Sequence, residues 1–257
     1  MTLRLGVTGA TGRMGGEVLA AARERENCEV VLAASRSAGD DSPGDRGIDV
    51  EPADEFAALV ADREPNAVVD FTAPDAAVEY AAACADSGVA FVTGTTGFDD
   101  DRLSALDRSS EEIPLLHAPN FARGVQTLVN VVAEAVRSLP SYDVELVERH
   151  HNRKRDAPSG TANRLLAEIE AAGEFAGRTH GREGEDPREA GEIGVHALRA
   201  GDVTGEHEVA IAGNHEELRL VHRAEDRAVF ARGALDAADW LAGRDPGRYD
   251  FAEVIQE

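Results

Sequence analysis

The segment Arg149-His150-His151-Asn152-Arg153-Lys154-Arg155-Asp156-Ala157-Pro158-Ser159-Gly160-Thr161 concentrates proton carriers and positive charge in an otherwise acidic chain. Histidine and lysine can exchange a proton near neutral pH, whereas arginine supplies charge and hydrogen bonds but keeps its proton. Lys154 is the sole lysine, and every other basic residue among the 26 Lys and Arg is an arginine. Keeping a lysine only beside two histidines points to an acid at that place, with His150 and Lys154 as candidate proton carriers. The competing explanation is structural, since one residual lysine must fall somewhere and histidine pairs also serve in packing. Ser159-Gly160-Thr161 then opens a predicted helix whose first N–H groups lack partners within the helix and favour a carboxylate. Together these features imply an anionic substrate.

A second constellation lies near the start. Gly9-Ala10-Thr11-Gly12-Arg13-Met14-Gly15 directly follows an apolar strand pattern and opens a helix. The first glycine permits the tight turn, the second lets the backbone approach a pyrophosphate, and the third lets helix and strand pack closely. With strand, loop and helix in this order the motif predicts dinucleotide binding rather than a plain turn. About 20 residues further on, NAD-binding folds carry an acid that holds the adenosine ribose. Here Ala33-Ala34-Ser35-Arg36-Ser37 places an arginine there, whose planar fork suits a ribose 2′-phosphate. NADPH is therefore the expected preference, with NADH as the second cofactor, since Asp40 and Asp41 follow within reach of a ribose. Gly94-Thr95-Thr96-Gly97-Phe98 and Ala118-Pro119-Asn120-Phe121 each follow a predicted strand end, where ligands of open α/β sheets bind.

The elements that must carry these residues alternate strand and helix over the first third, which predicts a parallel sheet. Strands are expected at Leu3 to Thr8, Glu29 to Ala34, Ala67 to Phe71, Val89 to Thr93 and Pro114 to His117. Helices are expected at Arg13 to Arg25, Asp54 to Asp62 and from Pro74 to just before Gly88, with proline and glycine in their usual start and stop positions. After a helix from Gly124 to Ser138 the pattern changes. Tyr142 to Arg149, Ile193 to Ala200, Gly205 to Ala212 and Glu217 to Arg223 read as strands of a mixed or antiparallel sheet. One helix, Ser159 to Ala172, interrupts them, and Gly173 to Glu192 reads as a mobile surface loop. A last amphipathic helix, Leu235 to Ala242, is expected to return to the first domain. The fold class is thus α/β, a Rossmann-like doubly wound domain plus a smaller α+β domain with a mixed sheet.

The charge narrows the partners. With 49 Asp and Glu against 26 Lys and Arg, the net charge is −23 over 257 residues, which opposes binding to nucleic acid and to anionic membranes. Such a field destabilises the compact state unless salt screens it, so a salt-rich, halophile-like cytoplasm is expected. No window offers the roughly 18 to 20 apolar residues of a membrane helix. Cys28 and Cys84 have no metal-site spacing and read as small buried hydrophobes in a reducing compartment. The remaining histidines show no metal spacing, so no metal site is read.

Several ordered segments together resemble the 4-hydroxy-tetrahydrodipicolinate reductase family, formerly dihydrodipicolinate reductase, of the diaminopimelate and lysine pathway. They are GATGRMG, Asp70-Phe71-Thr72, GTTGF, APNF, HHNRKRDAPSGTA, Ile193 through Asp202, Gly205-Glu206-His207 and Phe230 through Ala234. The resemblance implies a dinucleotide-binding domain over 1–121 and 228–257, and a substrate-binding and oligomerisation domain over 122–227, assembled as a homotetramer. It implies hydride transfer from NADPH or NADH to a cyclic dicarboxylate, giving tetrahydrodipicolinate. By resemblance, His150 is similar to the catalytic acid/base and Lys154 to the proton donor, while His151, Gly160 and Thr161 match substrate-carboxylate positions. Gly9, Ala10, Thr11, Gly12, Arg13, Met14, Arg36, Gly94, Thr95, Thr96, Ala118, Pro119, Asn120 and Phe121 match cofactor contacts. The common form of the family carries an acid where this chain has Arg36, which again turns the expectation towards NADPH. A dinucleotide sensor without turnover, or another nicotinamide-dependent reductase or amino-acid dehydrogenase, would share the loop; the former has no use for a proton donor.

Overall fold

The computed structural model describes residues 2–38 and 48–256. Asp40 and Asp41 lie outside the described residues. In chain order the elements are β1 Leu3–Thr8, α1 Arg13–Arg23, β2 Cys28–Ser35, β3 Glu51–Pro52, α2 Phe56–Arg63, β4 Ala67–Asp70, α3 Pro74–Ser87 and β5 Ala90–Thr93. Then come α4 Asp100–Ser110, β6 Pro114–His117, α5 Arg123–Ser138, β7 Asp143–His150, α6 Gly160–Ala172, β8 Gly177–His180 and β9 Glu192–Arg199. The chain closes with β10 Gly205–Gly213, β11 Glu216–Ala224, α7 Ala228–Leu241, β12 Gly247–Tyr249 and α8 Phe251–Val254. It divides into two units, Met1–Phe121 with Arg227–Glu257, and Ala122–Asp226.

In the first unit every residue of β4 and β5 is buried, as strands covered on both faces require. Its seven strands run in the order β12-β6-β5-β4-β1-β2-β3, each neighbouring pair parallel. The order reverses between β1 and β4, the switch point at which doubly wound sheets bind ligands beyond their carboxyl ends. One face packs Leu5 and Val7 against Val18 and Leu19 of α1 and Ala234, Leu235 and Ala238 of α7. The other packs Leu32, Val68 and Phe91 against Phe56, Tyr80 and Leu106. Pro74 occupies the first turn of α3, and Gly88 ends it in the left-handed region at φ 67°.

The second unit carries a mixed sheet in the order β11-β10-β7-β9-β8, antiparallel among β11, β10 and β7 and parallel among β7, β9 and β8. Helices α5 and α6 bury Leu128, Val132, Leu165 and Ile169 against Val144, Leu146, Val195, Val209 and Ile211. The two-residue period of β7 continues this inward face as Val144, Leu146, Glu148 and His150, all buried. Two ionisable side chains therefore extend an apolar row.

The structure departs from the sequence expectations in several places. Gly173 to Glu192 is not a featureless loop, because β8 pairs with β9 at the sheet edge. The following stretch is tied down by ion pairs from Arg182 and Arg188 to Glu145 and Glu192. The polar composition of Gly177–His180 suits an exposed edge and hides the strand. A 3-10 turn over Ala53–Glu55 precedes α2, which starts at Phe56. Helix α7 begins at Ala228, seven residues before the expected Leu235, since its buried face is mostly small residues, Ala231, Gly233 and Ala234, with weak apolar signal. Helix α4, capped by Asp99 accepting from Arg102 N at 3.0 Å, escaped the pattern because few of its residues are apolar.

Candidate active site

Glu148, fully buried on β7, is the centre of the second unit's polar network. Arg199 of β9 donates through Nη1 to Glu148 Oε2 at 2.9 Å and through Nη2 to Oε1 at 2.7 Å. Ser159 N donates to Oε1 at 3.1 Å, and His150 Nδ1 hydrogen-bonds Oε2. Burial alone would raise the Glu148 pKa, but hydrogen bonds from Arg199 and His150 outweigh it and hold the carboxyl below its usual range. His150 moves down as well, because its burial and the nearby cations Lys154 and Arg199 together exceed the upward pull of Glu148.

Ser159 caps α6, its Oγ accepting from Ala162 N at 3.2 Å. The same Oγ lies 3.1 Å from Nε2 of His207, whose ring sits 5.2 Å from that of His150 in an edge-on arrangement. Burial, with the neighbouring His150 as the next cause, pushes the His207 pKa down to about 3. Lys154 Nζ lies 2.9 Å from Asp156 Oδ1, and Arg199 Nη2 donates to the Asp156 carbonyl at 2.6 Å. Gly160 opens α6 towards unfilled space, where an added Cβ would meet nothing within 4 Å. His150, Lys154, Ser159 and the N-terminus of α6 thus belong to one connected network. His151 and Thr161 are half-buried beside it in sequence. Arg153 instead pairs with Asp202 at 3.0 Å on the surface, which offsets part of the local positive charge.

In the first unit, the loop after β1 fits a dinucleotide pyrophosphate. Gly9 adopts φ +66°, and a Cβ on Gly15 would lie 2.1 Å from the Gly9 carbonyl oxygen, so only glycine permits this approach of helix to strand. Gly12, the N-cap of α1, makes no side-chain capping bond, leaving the helix start to an anion. Thr11, Gly12 and Arg13 are exposed, Ala10 is buried and Met14 packs on the core. Arg36 is exposed just past β2, and Ser35 Oγ there lies 2.5 Å from Thr11 Oγ1.

Asp70, buried at the end of β4, accepts four threonine hydroxyls. Thr8 and Thr72 donate to Oδ1 at 2.7 and 2.6 Å, and Thr93 and Thr95 each donate to Oδ2 at 2.7 Å. This node joins the ends of β1, β4 and β5 and so fixes the loop of Gly94, Thr95 and Thr96. Gly94 has room for no side chain, since its Cβ would fall 2.0 Å from Phe71 Cε1. Ala118 N bonds the Thr93 carbonyl at 3.1 Å, placing Ala118, Pro119 and Asn120 after the next strand end. The Phe121 side chain is buried in the core, 5.9 Å from Phe71 and 5.2 Å from Phe251.

The sequence reading named no role for Glu148, Arg199, His207 or Asp70. Only Glu148 left a local signal, a charge two residues before His150 on the inward face. Arg199 and His207 reach the site through strand pairings that no short spacing records. Among the described residues, no group of three or more His, Cys, Asp or Glu is arranged to hold a metal.

Comparison with known proteins divides the chain once, after residue 121. A family model described as dihydrodipicolinate reductase, N-terminus, matches residues 3–121, and its C-terminus counterpart matches residues 124–255. The 4-hydroxy-tetrahydrodipicolinate reductase of Haloarcula marismortui is 52% identical over 252 residues, covering 98% of each chain. That of Natronomonas pharaonis is 52% identical over 250 residues, 97% of this chain and 98% of its own. Among solved structures, a dipicolinate-bound dihydrodipicolinate reductase from Paenisporosarcina sp. TG-14 aligns with TM-score 0.79 at 25% identity, covering 97% of this chain and 98% of that one.

Proposed function

The chain belongs to the dihydrodipicolinate reductase family, and from that membership we infer that it reduces 4-hydroxy-tetrahydrodipicolinate, or its dehydrated form, to tetrahydrodipicolinate in the diaminopimelate and lysine pathway. The observation that carries the assignment of the site is the single network joining His150, Lys154 and the start of α6. When bound, the reduced nicotinamide supplies the hydride. The chain's own residues do the rest. The N-terminus of α6 at Gly160 and Thr161, with His151, receives a substrate carboxylate through backbone N–H groups and helix polarity, while the Ser159 N–H is held by Glu148. Hydride addition to a conjugated imine leaves electron density for a proton to quench, and Lys154, the sole lysine, is the group suited to deliver it beside His150.

The first unit would hold the cofactor through Gly9 to Met14, Gly94 to Thr96 and Ala118 to Phe121. Thr11, Ser35 and Arg36 gather hydroxyl and guanidinium donors at the end of β2, which supports NADPH over NADH. A homotetramer is supported by the uncovered face of the second unit's sheet. Val221 and Leu198 are exposed there among the pairs Arg149–Glu206 and Arg219–Glu208. Among the described residues, no helix is long and apolar enough to cross a membrane. The charge of −23 supports work in a salt-rich cytoplasm.

The test supplies the purified protein with NADPH and the cyclic substrate made from pyruvate and aspartate semialdehyde by a coupled synthase, in high KCl. NADPH oxidation that requires the cyclic substrate is expected. Oxidation driven by a 2-oxo acid with ammonia instead would place the chain among amino-acid dehydrogenases.

A further inference from the structure

We propose that Glu148 and Arg199 are the positioning pair of this site, locking His150 with its proton on Nδ1 so that His150 accepts a hydrogen bond through Nε2 and Lys154 alone donates the proton. The inference rests on the reductase reading and adds the pair that fixes the tautomer of His150.

The starting point is a carboxylate where an apolar side chain would pack. Glu148 continues the row Val144 and Leu146 into the buried face, fully shielded from solvent. A buried ion pair adds little net stability over well-packed apolar residues, so stability does not account for it. Four donors occupy its oxygens: Arg199 Nη1 and Nη2, Ser159 N and His150 Nδ1. An ionised carboxylate offers about four lone-pair sites and no proton, so this one is saturated and can only accept. His150 must therefore donate from Nδ1, which in the neutral ring leaves the lone pair on Nε2. Gly205 lies beside that nitrogen without a side chain, where an added Cβ would come within 3.2 Å of Nε2.

A lone Glu148 anion would favour the imidazolium, but Arg199 neutralises it with a two-pronged bond. The groups facing His150 are Glu148 on its own strand, Arg199 on β9, His207 on β10 and Lys154 in the loop after β7. Two cations, one anion and a neutral imidazole leave His150 uncharged near neutral pH, and an uncharged ring with bare Nε2 has no proton to give there. Arg199 also reaches the second arm. Its Nη2 holds the Asp156 carbonyl at 2.6 Å, and the Asp156 carboxylate takes Lys154 Nζ at 2.9 Å. Glu148 thus sets the His150 tautomer, while Arg199 separately holds the segment that seats Lys154.

The decisive experiment reads the tautomer directly, by long-range 15N–1H correlation on the full-length protein labelled at histidine, with His150→Asn assigning the signal. At pH 7.5 the wild type should show a neutral His150 protonated at Nδ1; protonation at Nε2, or a charged ring, overturns the proposal. This readout needs no turnover, so it stands apart from the reductase reading, whose failure appears as a wild type that does not oxidise NADPH. In steady-state assays Glu148→Gln should lower kcat by about 10²-fold, within the range of a lost acid–base group. KM for the cyclic substrate should move far less. In a His150→Asn background the same substitution should cost little more, because its effect passes through that ring. Losses that multiply in the double variant contradict the proposal.

Discussion

Between pH 7 and pH 5 the protein should lose about 2 kcal/mol of stability through His207 alone. This imidazole is 3% exposed on β10, its Nε2 engaged by Ser159 Oγ at 3.1 Å and its Nδ1 buried without a hydrogen-bond partner. Burial, then His150, holds its folded pKa at about 3, against 6.5 for the free side chain. The folded state therefore resists a proton that the unfolded chain accepts. The contribution is absent as a penalty above pH 6.5 and grows as pH falls below it, saturating near pH 3. At pH 5 the unfolded chain gains RT ln(1 + 10^1.5), about 2 kcal/mol, and the full 3.5-unit gap would reach about 5 kcal/mol. The assay is urea unfolding at pH 7.5 and 5.0 in constant multimolar KCl, in the wild type and in His207→Gln, which can keep the bond to Ser159. Buried His150 and half-buried His117 and His222 are shifted in the same direction and act in both proteins, so the difference between the two isolates His207. Equal pH losses in the two proteins would refute the reasoning.

Arg36→Ala should raise the Kd for NADPH about 10- to 100-fold, the worth of a charge-assisted bond, while leaving NADH unchanged. Equal weakening of both cofactors in a fluorescence titration would remove the 2′-phosphate role. Gly15→Ala would ordinarily strengthen a helix by about 1 kcal/mol. Here its Cβ would sit 2.1 Å from the Gly9 carbonyl oxygen, so a loss of about 1–3 kcal/mol and weaker NADPH binding are expected, and an unchanged Tm would contradict the close approach. The melting temperature should rise from low to multimolar KCl as salt screens the charge of −23, whereas a flat or falling Tm would exclude salt adaptation.

What could be read from the chain depended on how local the signal was. Gly9 to Gly15 carries strand, turn and helix within one short window, and Pro74 and Gly88 mark a helix by their own backbone preferences. The near-continuous apolar runs of β4 and β5 announce a doubly covered parallel sheet, which the seven-stranded order displays. Elements with weak apolar contrast did not announce themselves. β8 is polar because it lies at a sheet edge, and the first turns of α7 are buried through alanines and a glycine that carry little periodicity. Phe121 looked like a loop residue next to Asn120, yet Gly233 lets the chain pass so closely that its Cβ would lie 1.8 Å from the Phe121 carbonyl oxygen, and the ring turns into the core. The partners of His150 were hidden for a different reason. Arg199 stands opposite it through the β7–β9 register, a pairing 49 residues apart that only the folded sheet creates. Asp70 was visible as a residue but not as a node, because the threonines it gathers lie at or just past the ends of β1, β4 and β5.

The most direct test of the central claim is NADPH oxidation with the coupled cyclic substrate in high KCl, run on the wild type beside Lys154→Ala. The account predicts turnover by the wild type and a fall in kcat of about 10²-fold or more in the variant, with NADPH binding unchanged. Tight NADPH binding without turnover at any salt concentration, or a variant that reduces the substrate at the wild-type rate, would contradict it.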